Sequence, residues 1–110
     1  MKFITDLIND NERVLDLGCE DGTLLEELKK KYCKKLVGVE IDNKKVIEGV
    51  SKGIEVINLD INTGLKRFND NQFDVVILSQ TLQSIKNVDE TIEEILRISN
   101  RAIISFPNFA

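Results

Sequence analysis

The chain of 110 residues has no histidine, only two cysteines and a single proline. The missing histidine excludes serine–histidine triads, histidine general bases and histidine-ligated zinc. Cys19 and Cys33 are too few for the disulfide framework of a small secreted fold. Long apolar runs are absent as well. Phe3-Ile4 and Leu7-Ile8 are broken by Thr5 and Asp6, so no secretory signal is visible. Nothing approaches the ~20 apolar residues that a membrane span requires. Positive charge is not in excess: 15 Lys and Arg against 19 Asp and Glu leave a formal net charge of −4. That balance argues against nucleic acid or an anionic membrane as the main partner. Together these absences lead to the expectation of a cytoplasmic protein.

What the chain does have is 42% apolar residues in short, regularly spaced runs. Its length suits one domain, residues 1–110, burying roughly two-thirds of the unfolded surface. Strands are expected at Arg13–Leu17, Leu36–Glu40, Ile54–Ile57, Phe73–Leu78 and Arg101–Phe106, the last stopped by Pro107. Between them lie amphipathic stretches. Thr23–Tyr32 carries Leu24, Leu25, Leu28 and Tyr32 on one helical face. Asn43–Lys52 places Val46, Ile47 and Val50 inward. Val88–Ile98 places Val88, Ile92, Ile95 and Leu96 on one face, with Asn87 and Glu90 suited to a helix start. One short helical turn is expected around Leu65 and Phe68. The lysines Lys29-Lys30-Lys31 read as a solvated helix end, and Cys33 as a small packing residue.

Strands rich in Val, Ile and Leu without alternation are buried on both faces, so the sheet is parallel with helices on each side. Right-handed crossovers make it doubly wound, and ligands then bind beyond the carboxyl ends of the strands. That directs attention to 16–22, 40–42, 59–61, 79–83 and 105–109. In Val14-Leu-Asp-Leu-Gly-Cys-Glu-Asp-Gly22, Gly18 permits a tight turn and Gly22 close packing at the helix start. Glu40 closes the second strand, where a carboxylate can accept both hydroxyls of a ribose. A dinucleotide loop needs glycine where this chain has Glu20 and Thr23, and Glu20 would face a pyrophosphate with like charge. A ligand with a cationic sulfonium and an amino acid tail suits the acidic loop better.

The segment Val14–Gly22 is similar to motif I of class I methyltransferases. More narrowly, the chain resembles the MetW family, associated with methionine biosynthesis. The residues that carry this are Val37-Gly-Val-Glu-Ile-Asp42, Phe73-Asp-Val-Val-Ile-Leu-Ser-Gln-Thr-Leu-Gln83 and Ile104-Ser-Phe-Pro-Asn-Phe109. The resemblance implies an α/β, Rossmann-like, doubly wound parallel sheet of about five strands with helices on both faces. It also implies S-adenosylmethionine as cofactor, with S-adenosylhomocysteine as product. Asp16, Gly18, Cys19 and Gly22 would line the methionine end, much of it through backbone. Glu40 would hold the ribose and Ile41 pack on the adenine. Asp60 would bond the adenine amino group, with Ile61 beside the ring. Ser79, Gln80 and Leu82 would close the site. A homoserine O-acyltransferase is the implied partner, and self-association through an open sheet edge is a further expectation.

Two departures from the family pattern bear on these expectations. Glu20 stands where the family has glycine, so its side chain either crowds and repels the cofactor's carboxylate or points to solvent. The chain also stops after the fifth strand, so the C-terminal antiparallel hairpin of full-length class I methyltransferases is expected to be lacking. No catalytic residue stands out, since Tyr32 reads as helix packing.

Overall fold

The expected apolar runs form one five-stranded sheet. The computed structural model describes residues 2–79 and 84–105. The strands are β1 (Arg13–Leu17), β2 (Lys35–Glu40), β3 (Glu55–Asn58), β4 (Phe73–Ser79) and β5 (Ser99–Ser105). Their order is β3-β2-β1-β4-β5, and every pairing is parallel. Val14, Leu15, Leu17 and Val75 to Leu78 are all buried, as two covered faces require. One face packs α1 (Lys2–Asp6) and α2 (Thr23–Leu28) over Val14, Val75 and Ile77, with α3 (Asn43–Ser51) beside them on β2 and β3. The other packs α4 (Ile61–Gly64), a 3-10 turn (Leu65–Arg67) and α5 (Val88–Ile98) over Leu15, Leu17, Val76 and Leu78. No helix among the described residues is long and apolar enough to cross a membrane.

The strands and α5 fall where the sequence puts them, to within one or two residues. The helical faces differ. α2 ends at Leu28, and Tyr32 is 81% exposed rather than packed. The chain must turn there to enter β2, and Asn11 N–H donates to the Tyr32 carbonyl at 2.6 Å, pinning the turn. Lys31 is not merely solvated. Its Nζ donates to the carbonyls of Thr5 and Ile8 at 2.5 and 2.7 Å, so it caps the unexpected α1 rather than its own helix. Cys33 lies half-buried at the margin of the first core, as expected of a packing residue.

On α3 the expected inward residues Ile47 and Val50 are exposed, and Gly49 is buried instead. A Cβ on Gly49 would lie 2.9 Å from Val56 Cγ2, and one on Gly22 would lie 3.3 Å from the Gly49 Cα. Two glycines back to back therefore bring α3 against the β1–α2 loop and turn its apolar residues outward. On α5, Thr91, Ile95 and Ile98 are buried while Val88 and Leu96 are exposed. β5 follows α5 without a loop, and this draws Ile98 into the core. The Asn87 side chain accepts from Glu90 N–H as the cap expected there. The turn expected around Leu65 and Phe68 is the α4 and 3-10 pair, and both residues are buried.

Candidate functional site

The strand order reverses direction between β1 and β4, which places a switch point at their carboxyl ends. A cleft of about 490 Å³ opens beside it, within the range of about 300–1,000 Å³ for small-molecule sites. Gly18 ends the β1 side, Val39, Glu40 and Ile41 the β2 side, and Leu59 to Asn62 the β3 side. Among the expected residues, Gly18, Glu40, Ile41, Asp60 and Ile61 thus converge on one cavity.

Glu40 is buried, and its carboxylate organises the rim. Oε1 accepts from Glu20 N–H at 2.7 Å and Oε2 from Asp42 N–H at 3.0 Å. Each carboxylate oxygen has capacity for a further donor, such as a diol hydroxyl. Asn58 Nδ2 donates to the carbonyls of Glu40 and Ile41, which holds the β2–α3 connection. Ile41 is 64% exposed, an apolar surface at the mouth. Asp60 caps α4 by accepting from Asn62 N–H.

The loop after β1 folds over β2. The N–H groups of Gly18 and Cys19 both donate to the Val39 carbonyl, at 2.8 and 2.9 Å. Glu20 has φ 54, in the left-handed region where glycine is at ease. Its side chain pairs with Lys45 at 3.3 Å and is largely in solvent. The outward alternative for Glu20 is the one adopted, although Glu20 still contributes to the cleft wall.

The other expected residues sit apart from that wall. Cys19 packs its Sγ where a Gly38 Cβ would be, 2.5 Å away, and burial pushes its thiol up to about 12. Gly22, at φ 81, serves helix packing against Gly49. Asp16 is buried behind the loop with Oδ1 lacking any hydrogen-bond partner. Ser79 ends β4 on the same edge, half-buried. Gln80 and Leu82, with residues 106–109 of the C-terminal string, lie outside the described residues.

Sequence reasoning missed Asn62, Ser84 and Lys86. Asn62 Oδ1 accepts from Lys86 N–H at 2.8 Å, and its Nδ2 donates to the Ser84 carbonyl, fastening the segment before α5 to the cleft. Nothing local in the sequence signals a contact across that separation. A second cleft of about 510 Å³ continues from Asp60 to Asn62 toward Glu90 and Glu94 on α5, where helices rather than strand ends supply the wall.

A parallel sheet in this order, with its cleft beyond the β1 and β2 ends, defines a class I methyltransferase-type Rossmann-like fold. Solved structures agree. An S-adenosylmethionine-dependent methyltransferase from Mesorhizobium loti superposes with a TM-score of 0.79 at 15% identity, over 89% of this chain and 47% of that one. A TehB-like methyltransferase from Corynebacterium glutamicum gives 0.78 at 17%, over 94% and 59%. The [4+2]-cyclase SpnF gives 0.73 at 23%, over 88% and 40%. The chain belongs to the family of methionine biosynthesis protein MetW, whose profile matches residues 1–110. The bifunctional methionine biosynthesis protein MetXA/MetW of Rhodopirellula baltica is 43% identical over 115 aligned positions. That match spans 97% of this chain but 18% of the relative, and the chain spans about half the length of the structural neighbours.

Proposed function

We propose that this chain binds S-adenosylmethionine in the Gly18–Glu40–Asp60 cleft and serves methionine biosynthesis in the cytoplasm. The single observation that carries the reading is Glu40: a buried carboxylate at the end of β2, presented to a cavity of ligand size. The donor set fits the group. Glu20, Glu40 and Asp60 make the wall acidic, with Lys86 as a counterweight, which suits a cationic ligand better than a pyrophosphate. Behind the loop, the buried Asp16 Oδ1 lacks a hydrogen-bond partner. Glu40 would hold the ribose, Ile41 and Ile61 would sandwich the adenine, and Asp60 would accept from its amino group. Gly18 and Ser79 would border the methionine end. S-adenosylmethionine supplies an activated methyl group when bound. The fold alone does not fix the reaction, since a cyclase shares it.

Calorimetric titration with S-adenosylhomocysteine tests the reading. Binding is expected in the wild type and about 10- to 100-fold weaker in Glu40→Gln, the equivalent of losing charged hydrogen bonds worth about 1.5–3 kcal/mol. A folded chain that gives no binding at millimolar ligand overturns it.

A second reading is favoured by the relative that unites MetXA and MetW in one chain. In it the chain is a partner module of a homoserine O-acyltransferase. Light scattering of the two proteins mixed separates complex formation from self-association through the β5 edge, and a strict monomer beside a free acyltransferase rejects both.

A further inference from the structure

The cleft between α4 and α5 adjoins the proposed cofactor cleft across a partition formed by Asp60, Ile61 and Asn62. Side chains tie its two walls together at both ends. At one end Asn62 of α4 accepts from Lys86 N–H at 2.8 Å and donates to the Ser84 carbonyl at 3.2 Å. At the other, Arg97 of α5 donates to the Leu65 carbonyl at 3.1 Å, while its Nη1 and Nε meet Asp70 and Glu94 at 2.7 Å each. Between these ties lies a cavity of about 510 Å³, a size suited to a small molecule. Thr91 lines it from α5. That residue is 6% exposed, and its hydroxyl has no hydrogen-bond partner among the described residues. Buried hydroxyls are ordinarily satisfied, so Thr91 Oγ1 is a polar group left over for a ligand.

The lining carries charge of both signs. Lys66 and Lys86 stand with Glu90 and Glu93, and among the described residues none of the four is in an ion pair. Glu94 differs, being neutralised by Arg97. A ligand of one sign is attracted by one pair and repelled by the other, whereas a zwitterion satisfies both. Buried Leu65 and half-buried Ile61 add an apolar floor. We propose that this cleft is a second binding site, for an α-amino acid with an apolar side chain. Its carboxylate lies against Lys66 and Lys86, its ammonium donates to Glu90 and the Thr91 hydroxyl, and its side chain rests on Leu65 and Ile61. Asp60 marks the adenine end of the cofactor reading, so the amino acid lies away from the methionine end and is not the methyl acceptor. The site itself does not depend on that reading.

Backbone amide NMR of the protein titrated with L-methionine, in the absence of any adenosyl ligand, tests the site. The Lys66, Glu90 and Thr91 amides should shift and saturate by about 10 mM. Methioninol, which lacks the carboxylate, and methylthiopropionate, which lacks the ammonium, should each bind about tenfold more weakly, as should glycine, which lacks the apolar side chain. Thr91→Val removes the hydroxyl at nearly constant shape and should weaken L-methionine about tenfold, with Thr91→Ser restoring it. Should Thr91→Val fail to fold, the exposed substitutions decide: Glu90→Gln, and Lys66→Gln together with Lys86→Gln, should each weaken binding about threefold. Amides that do not shift, or a singly charged analogue that binds as well as L-methionine, overturn the inference.

Discussion

At the scale of the residue, the acidic loop holds two carboxylates in opposite circumstances. Glu20 accepts an uncommon backbone conformation and meets Lys45 in solvent, where such a pair is worth little. Asp16 lies in the core with no partner for Oδ1, so its charged form is the costly one. The consequence for stability has a definite sign. The folded chain keeps the Asp16 proton up to about pH 8, whereas the unfolded chain loses it near the ordinary value of 3.8. Between those values unfolding releases a proton. The stability linked to Asp16 is therefore fully present below about pH 3.8 and is lost as pH rises toward 8. Asp16→Asn removes the titration. Relative to the variant, the wild type should lose about 1 kcal/mol or more between pH 5 and pH 8, since each pKa unit is worth about 1.4 kcal/mol. Urea unfolding of both proteins at the two pH values measures this, and a constant difference between them would contradict a protonated Asp16.

At the scale of the element, the opposite end of the sheet is held by another acid. Arg13 opens β1 and donates through its backbone N–H and Nε to Asp74 Oδ2, and through an Nη to Oδ1 at 2.9 Å. The guanidinium and the Arg13 N–H hold Asp74 down to about 2. Both side chains are about a third exposed or less, so screening reduces the pair to about 1 kcal/mol. A depressed carboxylate contributes stability above its unfolded value and loses it as pH falls through its folded one. Asp74→Asn should thus be about 1 kcal/mol less stable than the wild type at pH 7, with the gap closing between pH 4 and pH 2. Guanidinium-free urea titrations at those pH values check it, and a gap that persists at pH 2 would assign the effect to packing.

The same scale shows what the sequence makes legible. Strands could be read because both of their faces are apolar, and their ends then point to the segments 16–22, 40–42 and 59–61 through the switch-point rule, within which the family resemblance singles out Ile41, Asp60 and Ile61. Helical faces were harder to read. Hydrophobic spacing assumes that the largest apolar side chains turn inward, yet α3 packs through Gly49, and α5 buries Thr91 and Ile98 beside the expected Ile95 while leaving Val88 and Leu96 exposed. A glycine that permits close approach is silent in a hydrophobic pattern, although it decides which way the helix faces. Asn62, Ser84 and Lys86 were illegible for a different reason. They join the cleft through hydrogen bonds between segments more than 20 residues apart, and no local propensity encodes those.

At the scale of the whole molecule, the two cysteines report on how the fold opens. Cys19 is 5% exposed inside the core formed by α1 and α2 on the sheet, its sulfur against Gly38 and Leu25. Burial raises its thiol to about 12, so the native protein offers almost no thiolate there. Cys33 sits half-buried between α2 and β2, where burial raises its thiol as well, and a local movement suffices to expose it. In a thiol-labelling experiment at pH 8, Cys33 should react first and Cys19 only at the rate set by global unfolding. A ligand that binds the folded chain alone adds RT ln(1 + [L]/Kd) to the cost of that opening, about 2.7 kcal/mol at one hundred times Kd. S-adenosylhomocysteine at that concentration should therefore slow Cys19 labelling about 100-fold and leave Cys33 nearly unchanged as the internal control. Mass spectrometry of the labelled peptides resolves the two sites. Cys19 reacting as fast as Cys33 would show that α2 lifts from the sheet by itself, and the loop beneath it would then be no fixed wall for a ligand.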